Sequence, residues 1–272
     1  MLIRNNSYTM AKRVNLLTRA FGAEPGVPDV TALADWVAHH RGKSADLHAY
    51  LLEQSLSPQC AAGITEPCGG GMFTKDRVLD CVKGMKDMSV VDDLYVDPKP
   101  LIEDARRLVA QKKHVWCAMP APGALGMTDC YYNDKDEWYD AINCVYADLM
   151  RAQRDAGIKG HVLISERVDE AAVSSLASHT VFFFQQKPDR NSLETLMEYQ
   201  RRIAVGKEQL KIVFDLANEY ELHQLIVMDP DEGSVKHALL HLDPDQVMAG
   251  GYCTDGCDEY WKALVDAAYY TK

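Results

Sequence analysis

Five short apolar runs in the second half of the chain constrain its fold more than any other feature of the sequence. Such runs, alternating with helices, are typical of parallel strands that are buried on both faces of a sheet. Right-handed crossovers would place the helices on the two sides of that sheet. The sequence therefore predicts an α/β domain over residues 113–272. The predicted strands are 114–119, 161–164, 180–184, 224–228 and 246–249, and the main helices that follow them are 134–156, 169–177, 192–220 with a break near Gly206, 232–242 and a last one from residue 255.

Residues 1–112 show a different pattern. Apolar side chains such as Val14, Leu17 and Phe21 recur there at intervals of three and four, which is the spacing of an amphipathic helix. We therefore expect a helical region over residues 1–112, followed by the α/β domain over 113–272. Because five strands are too few for a complete (β/α)₈ barrel, the favoured fold is an open, mainly parallel sheet with flanking helices. An incomplete or irregular (β/α) barrel is the alternative.

Charge and hydropathy narrow the classes of partner. The chain has 272 residues and a formal net charge of −11 at pH 7, which opposes binding to nucleic-acid backbones and anionic membranes. It contains no run of eighteen apolar residues, and residues 1–7 lack the apolar core of a signal peptide. We therefore expect a soluble cytoplasmic protein that binds a small-molecule ligand. A homo-oligomer or a protein partner is compatible with the same composition.

Polar side chains follow the predicted strands at the points where the strands end. In a parallel sheet the carboxyl ends of the strands share one edge, and ligands bind outside that edge. We expect Glu166 or Asp229 to be the proton-transfer group there. Substrate contacts are predicted for further side chains in equivalent positions: Arg167, Gln185, Lys187 and Tyr252.

The last predicted strand leads into two cysteines, Cys253 and Cys257, which are four residues apart. Cys257 would lie in the first turn of the final helix, where unpaired backbone amides favour a nucleophilic thiolate. Cys253 is close enough in sequence to act as a resolving thiol or as a second metal ligand. Both cysteines are therefore candidate catalytic residues, and inert loop cysteines are the alternative.

A glycine-rich loop, residues 68–75, precedes a predicted helix. Backbone amides around Gly70 and the ammonium group of Lys75 could approach an anion at this helix start. The loop lacks the Gly-Lys-Ser/Thr order of a P-loop. We predict an anion contact for Gly70 and Lys75, with a hinge between two helices as the alternative.

A metal site would need cysteines from both halves of the chain. Cys60 and Cys68, brought to Cys253 and Cys257, would give four thiolates able to hold zinc or an iron–sulfur cluster. The Asp-Pro-Asp turn that ends at Asp231 has two interpretations as well. It could hold a divalent cation, but we favour a turn in which Asp231 caps the next helix.

Two functional hypotheses follow from these residues. The first is an enzyme that acts on a small polar metabolite at a cysteine-containing site at the carboxyl ends of the parallel strands. The second is a non-catalytic accessory or scaffold protein that holds a metal or an iron–sulfur cluster, or docks on a larger complex. Fast alkylation of Cys257 at neutral pH would favour the first, and stoichiometric bound metal would favour the second.

Overall fold

The structure is a computed structural model that describes residues 13–40 and 46–271. The opening residues 1–7, used above for the signal-peptide prediction, lie outside these ranges. The strands are β1 (Arg13–Asn15), β2 (Leu17–Ala23), β3 (Cys68–Gly70), β4 (Val82–Lys86), β5 (Ser89–Val96), β6 (Trp116–Pro120), β7 (Thr128–Asp129), β8 (Gly160–Ile164), β9 (Val181–Phe184), β10 (Arg202–Val205), β11 (Gln224–Met228), β12 (Val247–Cys253) and β13 (Tyr269–Thr271). The helices are α1 (Val30–His39), α2 (Leu47–Ala62), α3 (Lys75–Cys81), α4 (Lys99–Gln111), α5 (Lys135–Asp155), α6 (Glu170–Leu176), α7 (Arg190–Tyr199), α8 (Leu210–Leu216), α9 (Glu232–Ala238) and α10 (Cys257–Ala267).

Two four-stranded parallel sheets, β10-β11-β12-β2 and β3-β6-β8-β9, meet along two seams. At the first seam, the Ala20 amide donates to the Glu66 carbonyl at 3.0 Å, and the Glu66 amide donates to the Thr18 carbonyl at 2.9 Å. At the second seam, the side chain of Gln200 accepts from the Phe183 amide at 3.0 Å and donates to the Phe183 carbonyl at 3.1 Å. The side-chain amide thus takes the place of a neighbouring strand. Followed around these seams, the eight strands form a (β/α) barrel in chain order.

The predicted α/β class, with parallel strands and flanking helices, is confirmed. The five predicted strands correspond to β6, β8, β9, β11 and β12, and the strand order matches the barrel alternative rather than an open sheet. The three strands that complete the ring are β2, β3 and β10. β2 lies in a stretch that the sequence predicted to be helical, and β10 lies inside the predicted helix 192–220. Both helix predictions are wrong at these places.

The face that β2 presents to the barrel explains the error. Arg19 and Phe21 are two residues apart, so they project to the same face of a strand. The Phe21 ring lies inside the barrel, with its centroid 5.1 Å from that of Phe182 and 4.6 Å from that of Phe184. Every residue of β2 after Leu17 is buried. Both faces of β2 are covered, so apolar residues occur at consecutive positions. Apolar residues at intervals of three and four can therefore be found in this strand without indicating a helix.

The first half of the chain contributes both helices and barrel strands. The division into two domains at residue 112 stays a prediction. Two strand pairs cross that boundary: β2 pairs with β12, and β3 pairs with β6. Helix α2 covers β3 through Gln59, whose side chain accepts from the Cys68 amide at 2.8 Å and donates to the Cys68 carbonyl at 2.7 Å. No helix in residues 13–40 and 46–271 is long and apolar enough to cross a membrane.

Candidate functional site

A cavity of about 420 Å³ opens at the carboxyl ends of β9, β10, β11 and β12. Four neighbouring strands therefore supply its walls, as expected for a ligand site at this end of a (β/α) barrel. Its floor includes the apolar side chains of Phe184 and Met228. Its other lining residues are Gln186, Lys187, Gly206, Lys207, Glu208, Gln209, Asp229, Tyr252 and Thr254.

A carboxylate that follows β2 is held at this mouth by the last barrel strand. The hydroxyl of Tyr252 donates a short hydrogen bond to Oε1 of Glu24. The same oxygen accepts from the Met72 amide, and Oε2 accepts from the Phe73 amide at 3.2 Å. Three donors thus fix the orientation of a partly buried carboxylate without a ligand.

The glycine-rich loop binds an anion, but the protein itself provides that anion. The amides of Met72 and Phe73 point to Glu24, and a Cβ at Gly71 would collide with the Ala23 carbonyl and with the Glu24 carboxylate. Glycine is required at position 71 because of this close approach. The amide of Gly70, predicted to contact a ligand, instead donates to Oγ of Ser55 at 2.8 Å. A ligand contact of Gly70 stays a prediction, and the amides that contact Glu24 belong to Met72 and Phe73.

A second phenol–carboxylate pair lies beside the first. The hydroxyl of Tyr260, on α10, donates a short hydrogen bond to Oδ1 of Asp229, and it accepts from the Tyr252 amide at 2.9 Å. Asp229 follows β11 with a φ of +46°, in the left-handed region that a residue with a Cβ seldom adopts. Such a conformation costs roughly 1–3 kcal/mol and is concentrated at functional sites. The Asp229 side chain is part of the cavity lining.

Both phenols remain protonated over the ordinary pH range. Burial raises the pKa of Tyr252, and the neighbouring Glu24 carboxylate raises it further. Burial likewise raises the pKa of Tyr260, with the hydrogen bond to Asp229 as the next cause. The two tyrosines therefore act as hydrogen-bond donors to the two carboxylates.

The two C-terminal cysteines form a disulfide between the end of β12 and the start of α10, with Cα atoms 5.8 Å apart. Cys257 begins α10, as the sequence predicts, and Cys253 is fully buried. A sulfur atom in a disulfide is not a thiolate, so in this form neither cysteine can attack a substrate or bind a metal. The bond instead ties the segment that carries Tyr252 to the helix that carries Tyr260.

The remaining predicted site residues divide into two groups. Lys187 lines the cavity together with Asp229 and Tyr252. Gln185, Glu166 and Arg167 lie off it: the side chain of Gln185 donates to the Glu166 carbonyl at 2.9 Å, and the side chains of Glu166 and Arg167 are exposed on the loop after β8. Helix α6 starts four residues after Glu166, and no residue of the loop between β8 and α6 is in the cavity lining. Lys75 begins α3 and lies against Gly126, away from the cavity lining.

The predicted four-cysteine metal site is not assembled. Within the described part of the chain, no group of three or more His, Cys, Asp or Glu side chains could hold a metal ion. Cys68 is buried on β3, where burial raises the pKa of its thiol well above the usual value, and Cys60 lies near the end of α2. Asp231 caps α9 and accepts from the Ser234 amide at 2.7 Å, which confirms the cap interpretation.

Sequence reasoning missed three groups at this mouth: Glu24, Tyr260 and Lys207. Glu24 directly follows β2, and Lys207 is the second residue after β10. The sequence predicts helices at both strands, so it did not identify either residue as following a strand. Tyr260 lies in α10, and its hydroxyl contacts Asp229 at this mouth. The only sequence signal for Tyr260 was its position three residues after Cys257.

Fold and site together define a (β/α) barrel with a polar cavity at the carboxyl ends of its strands. No family model and no curated protein matches the chain. Among solved structures, it is similar to the Listeria monocytogenes protein assigned as a vitamin-B12-independent methionine synthase, with a TM-score of 0.64 and 14% identity over 95% of this chain and 96% of the other. It is also similar to a B12-independent methionine synthase from Shewanella sp. W3-18-1, solved in complex with selenomethionine, with a TM-score of 0.55 and 13% identity over 94% and 96% of the two chains. At these identities the likeness establishes the fold.

Proposed function

We propose that this protein is an enzyme that acts on a small zwitterionic metabolite of the amino-acid class, bound in the cavity at the carboxyl ends of β9–β12. One observation carries the proposal: the same cavity is lined by the carboxylate of Asp229 and by the ammonium groups of Lys187 and Lys207. A ligand that carries one charge of each sign fits such a lining, because each ligand charge then has an opposite partner.

The two lysines differ in how far their charge is already compensated. Nζ of Lys207 lies 3.3 Å from Oδ2 of Asp231, the residue that caps α9. Lys187 is exposed at the rim, after β9. We therefore assign the ligand carboxylate to Lys187 and the ligand ammonium to Asp229. The apolar floor of Phe184 and Met228 would receive the uncharged part of the ligand.

Asp229 is also our candidate for proton transfer. Its carboxylate accepts from Tyr260 through Oδ1, and its backbone is held in the left-handed region. Catalytic residues in this fold lie at the carboxyl ends of the barrel strands. A hydrogen-bonded carboxylate in that position is suited to act as an acid–base group. The Tyr252–Glu24 pair supports Asp229 through the hydrogen bond from the Tyr252 amide to the Tyr260 hydroxyl.

Isothermal titration calorimetry with L-methionine tests the charge pattern, and the selenomethionine complex of the Shewanella neighbour motivates this first probe. We expect saturable binding of L-methionine. Methioninol, which lacks the carboxylate, and 4-(methylthio)butanoate, which lacks the ammonium, should each bind about tenfold more weakly or worse, because one charged hydrogen bond is lost. Equal affinities for the zwitterion and both single-charge analogues would contradict the proposal.

Matched variants assign the two charges to residues. Asp229→Asn keeps the shape of the side chain and tolerates a positive φ, so it should selectively weaken ligands that carry an ammonium. Lys187→Met should selectively weaken ligands that carry a carboxylate. Asp245→Asn and Lys262→Met remove equivalent charges from exposed positions outside the cavity lining and should leave both affinities unchanged. A loss of binding in the control variants would show that only overall charge matters.

A further inference from the structure

A second cavity, of about 700 Å³, opens at the opposite end of the barrel. It lies at the amino ends of β9, β10 and β11, and its lining includes Phe182, Gln200 and Arg202. It is therefore separate from the proposed substrate site, which lies at the carboxyl ends of the same strands. In most (β/α) barrels this end contributes to stability rather than to ligand binding.

A buried guanidinium lies beside this cavity. The side chain of Arg19 is completely buried, and its Nη1 donates to Oε2 of Glu66 at 2.6 Å. Its other two donor nitrogens, Nε and Nη2, are buried and have no hydrogen-bond partner in the described part of the chain. Burying donors of a charged group without acceptors is strongly unfavourable. Arg19 thus provides two donors that need acceptors.

Aromatic rings connect Arg19 to the cavity and add a third donor. The guanidinium carbon of Arg19 lies 4.1 Å from the ring centre of Trp116 and 5.2 Å from that of Phe182, which lines the cavity. Nε1 of Trp116 is also buried without an acceptor among the described residues. Every one of these unsatisfied groups is a donor, so the group that completes them must be an acceptor.

Charge points the same way. The guanidinium carbon of Arg202 lies 5.7 Å from the same Trp116 ring and 5.9 Å from the Phe182 ring, and Nζ of Lys159 lies 2.8 Å from Oε1 of Glu66. Three cations therefore share one carboxylate, Glu66. Burial lowers the pKa of Arg19 to about 10, so its charge persists at neutral pH. Like charges held this close in a weakly polar interior repel one another unless an anion lies between them.

We propose that a small oxyanion, of the phosphate or carboxylate type, binds at the amino end of the barrel between Arg19 and Arg202. The oxyanion would accept from the unsatisfied donors of Arg19 and compensate the surplus positive charge. Water would also accept from these donors, but it brings no negative charge. Glu66 already satisfies one nitrogen of Arg19, which orients the guanidinium with its remaining donors fixed in place.

Calorimetric titration of the full chain with inorganic phosphate tests this site, and sodium acetate provides the carboxylate arm. Both titrations are run against chloride at matched ionic strength, so that screening is constant. We expect saturable binding of at least one of the two anions at concentrations up to about 10 mM. Arg202→Gln should weaken that binding about tenfold or more, because a charged hydrogen bond and a net charge are both lost.

Arg201→Gln is the matched control, since Arg201 lines the same cavity but its Nε is paired with Oε2 of Glu221 at 2.9 Å. This change should alter the affinity by less than about threefold, because the lost charge is exposed and already compensated. Circular dichroism shows whether the variants remain folded. The proposal would be overturned if neither phosphate nor acetate gave more heat of binding than chloride. It would also be overturned if Arg202→Gln and Arg201→Gln lowered the anion affinity equally. The outcome is independent of whether L-methionine binds at the other end.

Discussion

The two ends of the barrel differ in the balance between hydrogen-bond donors and acceptors. At the carboxyl end, the carboxylates of Glu24 and Asp229 receive their hydrogen bonds from the chain itself, through Tyr252, Tyr260 and two backbone amides. At the amino end, buried donors of Arg19 and Trp116 outnumber their acceptors. The carboxyl end is thus preorganised before a ligand arrives, while the amino end needs a ligand to complete it.

The largest effect that separates the two ends should come from Glu66→Gln. This change removes the carboxylate beside fully buried Arg19 and should destabilise the protein by about 3 kcal/mol, as expected when one partner of a buried ion pair is lost. Glu24→Gln at the other end keeps one of the two acceptor oxygens and leaves no buried cation unpaired, so it should cost only about 1 kcal/mol. Urea unfolding at pH 7 measures both free energies. Equal losses at the two ends would contradict the asymmetry.

The next effect concerns the disulfide, which belongs to the carboxyl end. Reducing the bond between Cys253 and Cys257 should lower the free energy of unfolding by about 2 kcal/mol, because the closed loop is short. Urea unfolding of the wild type with and without dithiothreitol measures this difference. Cys257→Ser should show the same loss in both conditions. Reductant should also weaken L-methionine binding and leave phosphate binding unchanged.

The sequence was sufficient for the fold class but not for the closure of the barrel. β11 coincides with its predicted range, because five consecutive apolar or amide residues end at an Asp-Pro turn. β3 consists of Cys68 and two glycines, so it has no side-chain periodicity from which a strand could be predicted. β10 has four residues and no turn signal stronger than Gly206 after it. Closure depends on long-range pairing and on Gln200, which local patterns do not encode.

The candidate site was predictable in part for a related reason. Asp229, Lys187 and Tyr252 follow or end strands that the sequence identified, and all three line the cavity. Glu24 was missed because the strand before it was taken for a helix. Arg19 was missed because a charged residue in a predicted amphipathic helix is normally assigned to the solvent-exposed face.

A smaller loss of stability and of ligand affinity should distinguish Tyr260, at the carboxyl end, from an exposed tyrosine elsewhere. Tyr260→Phe removes the donor to Asp229 and should destabilise the protein by about 1 kcal/mol while weakening L-methionine binding. Tyr95→Phe is the control, since Tyr95 is 63% exposed on β5 and lies outside the cavity lining. Unfolding and titration data on both variants measure the difference. A Tyr260→Phe protein with unchanged binding would contradict the proposed role of the pair.

The smallest effect is a dependence on pH at the amino end. Burial alone would raise the pKa of Glu66, but Arg19 and then Lys159 outweigh burial and hold it below the usual value of 4.5. A carboxylate with a lowered pKa stabilises the fold above the unfolded pKa, and this contribution is lost as the pH falls through the folded pKa. The stability difference between wild type and Glu66→Gln should therefore shrink as the pH drops below about 4.5. A difference that is constant from pH 7 into this acidic range would contradict the assignment.

One comparison of binding tests the separation of the two ends most directly: titration of L-methionine and of inorganic phosphate into the wild type, Asp229→Asn and Arg202→Gln. Our account predicts that Asp229→Asn weakens L-methionine binding about tenfold and leaves phosphate unaffected, and that Arg202→Gln does the reverse. If either variant weakens both ligands equally, or if phosphate competes with L-methionine, the two ends do not form separate sites.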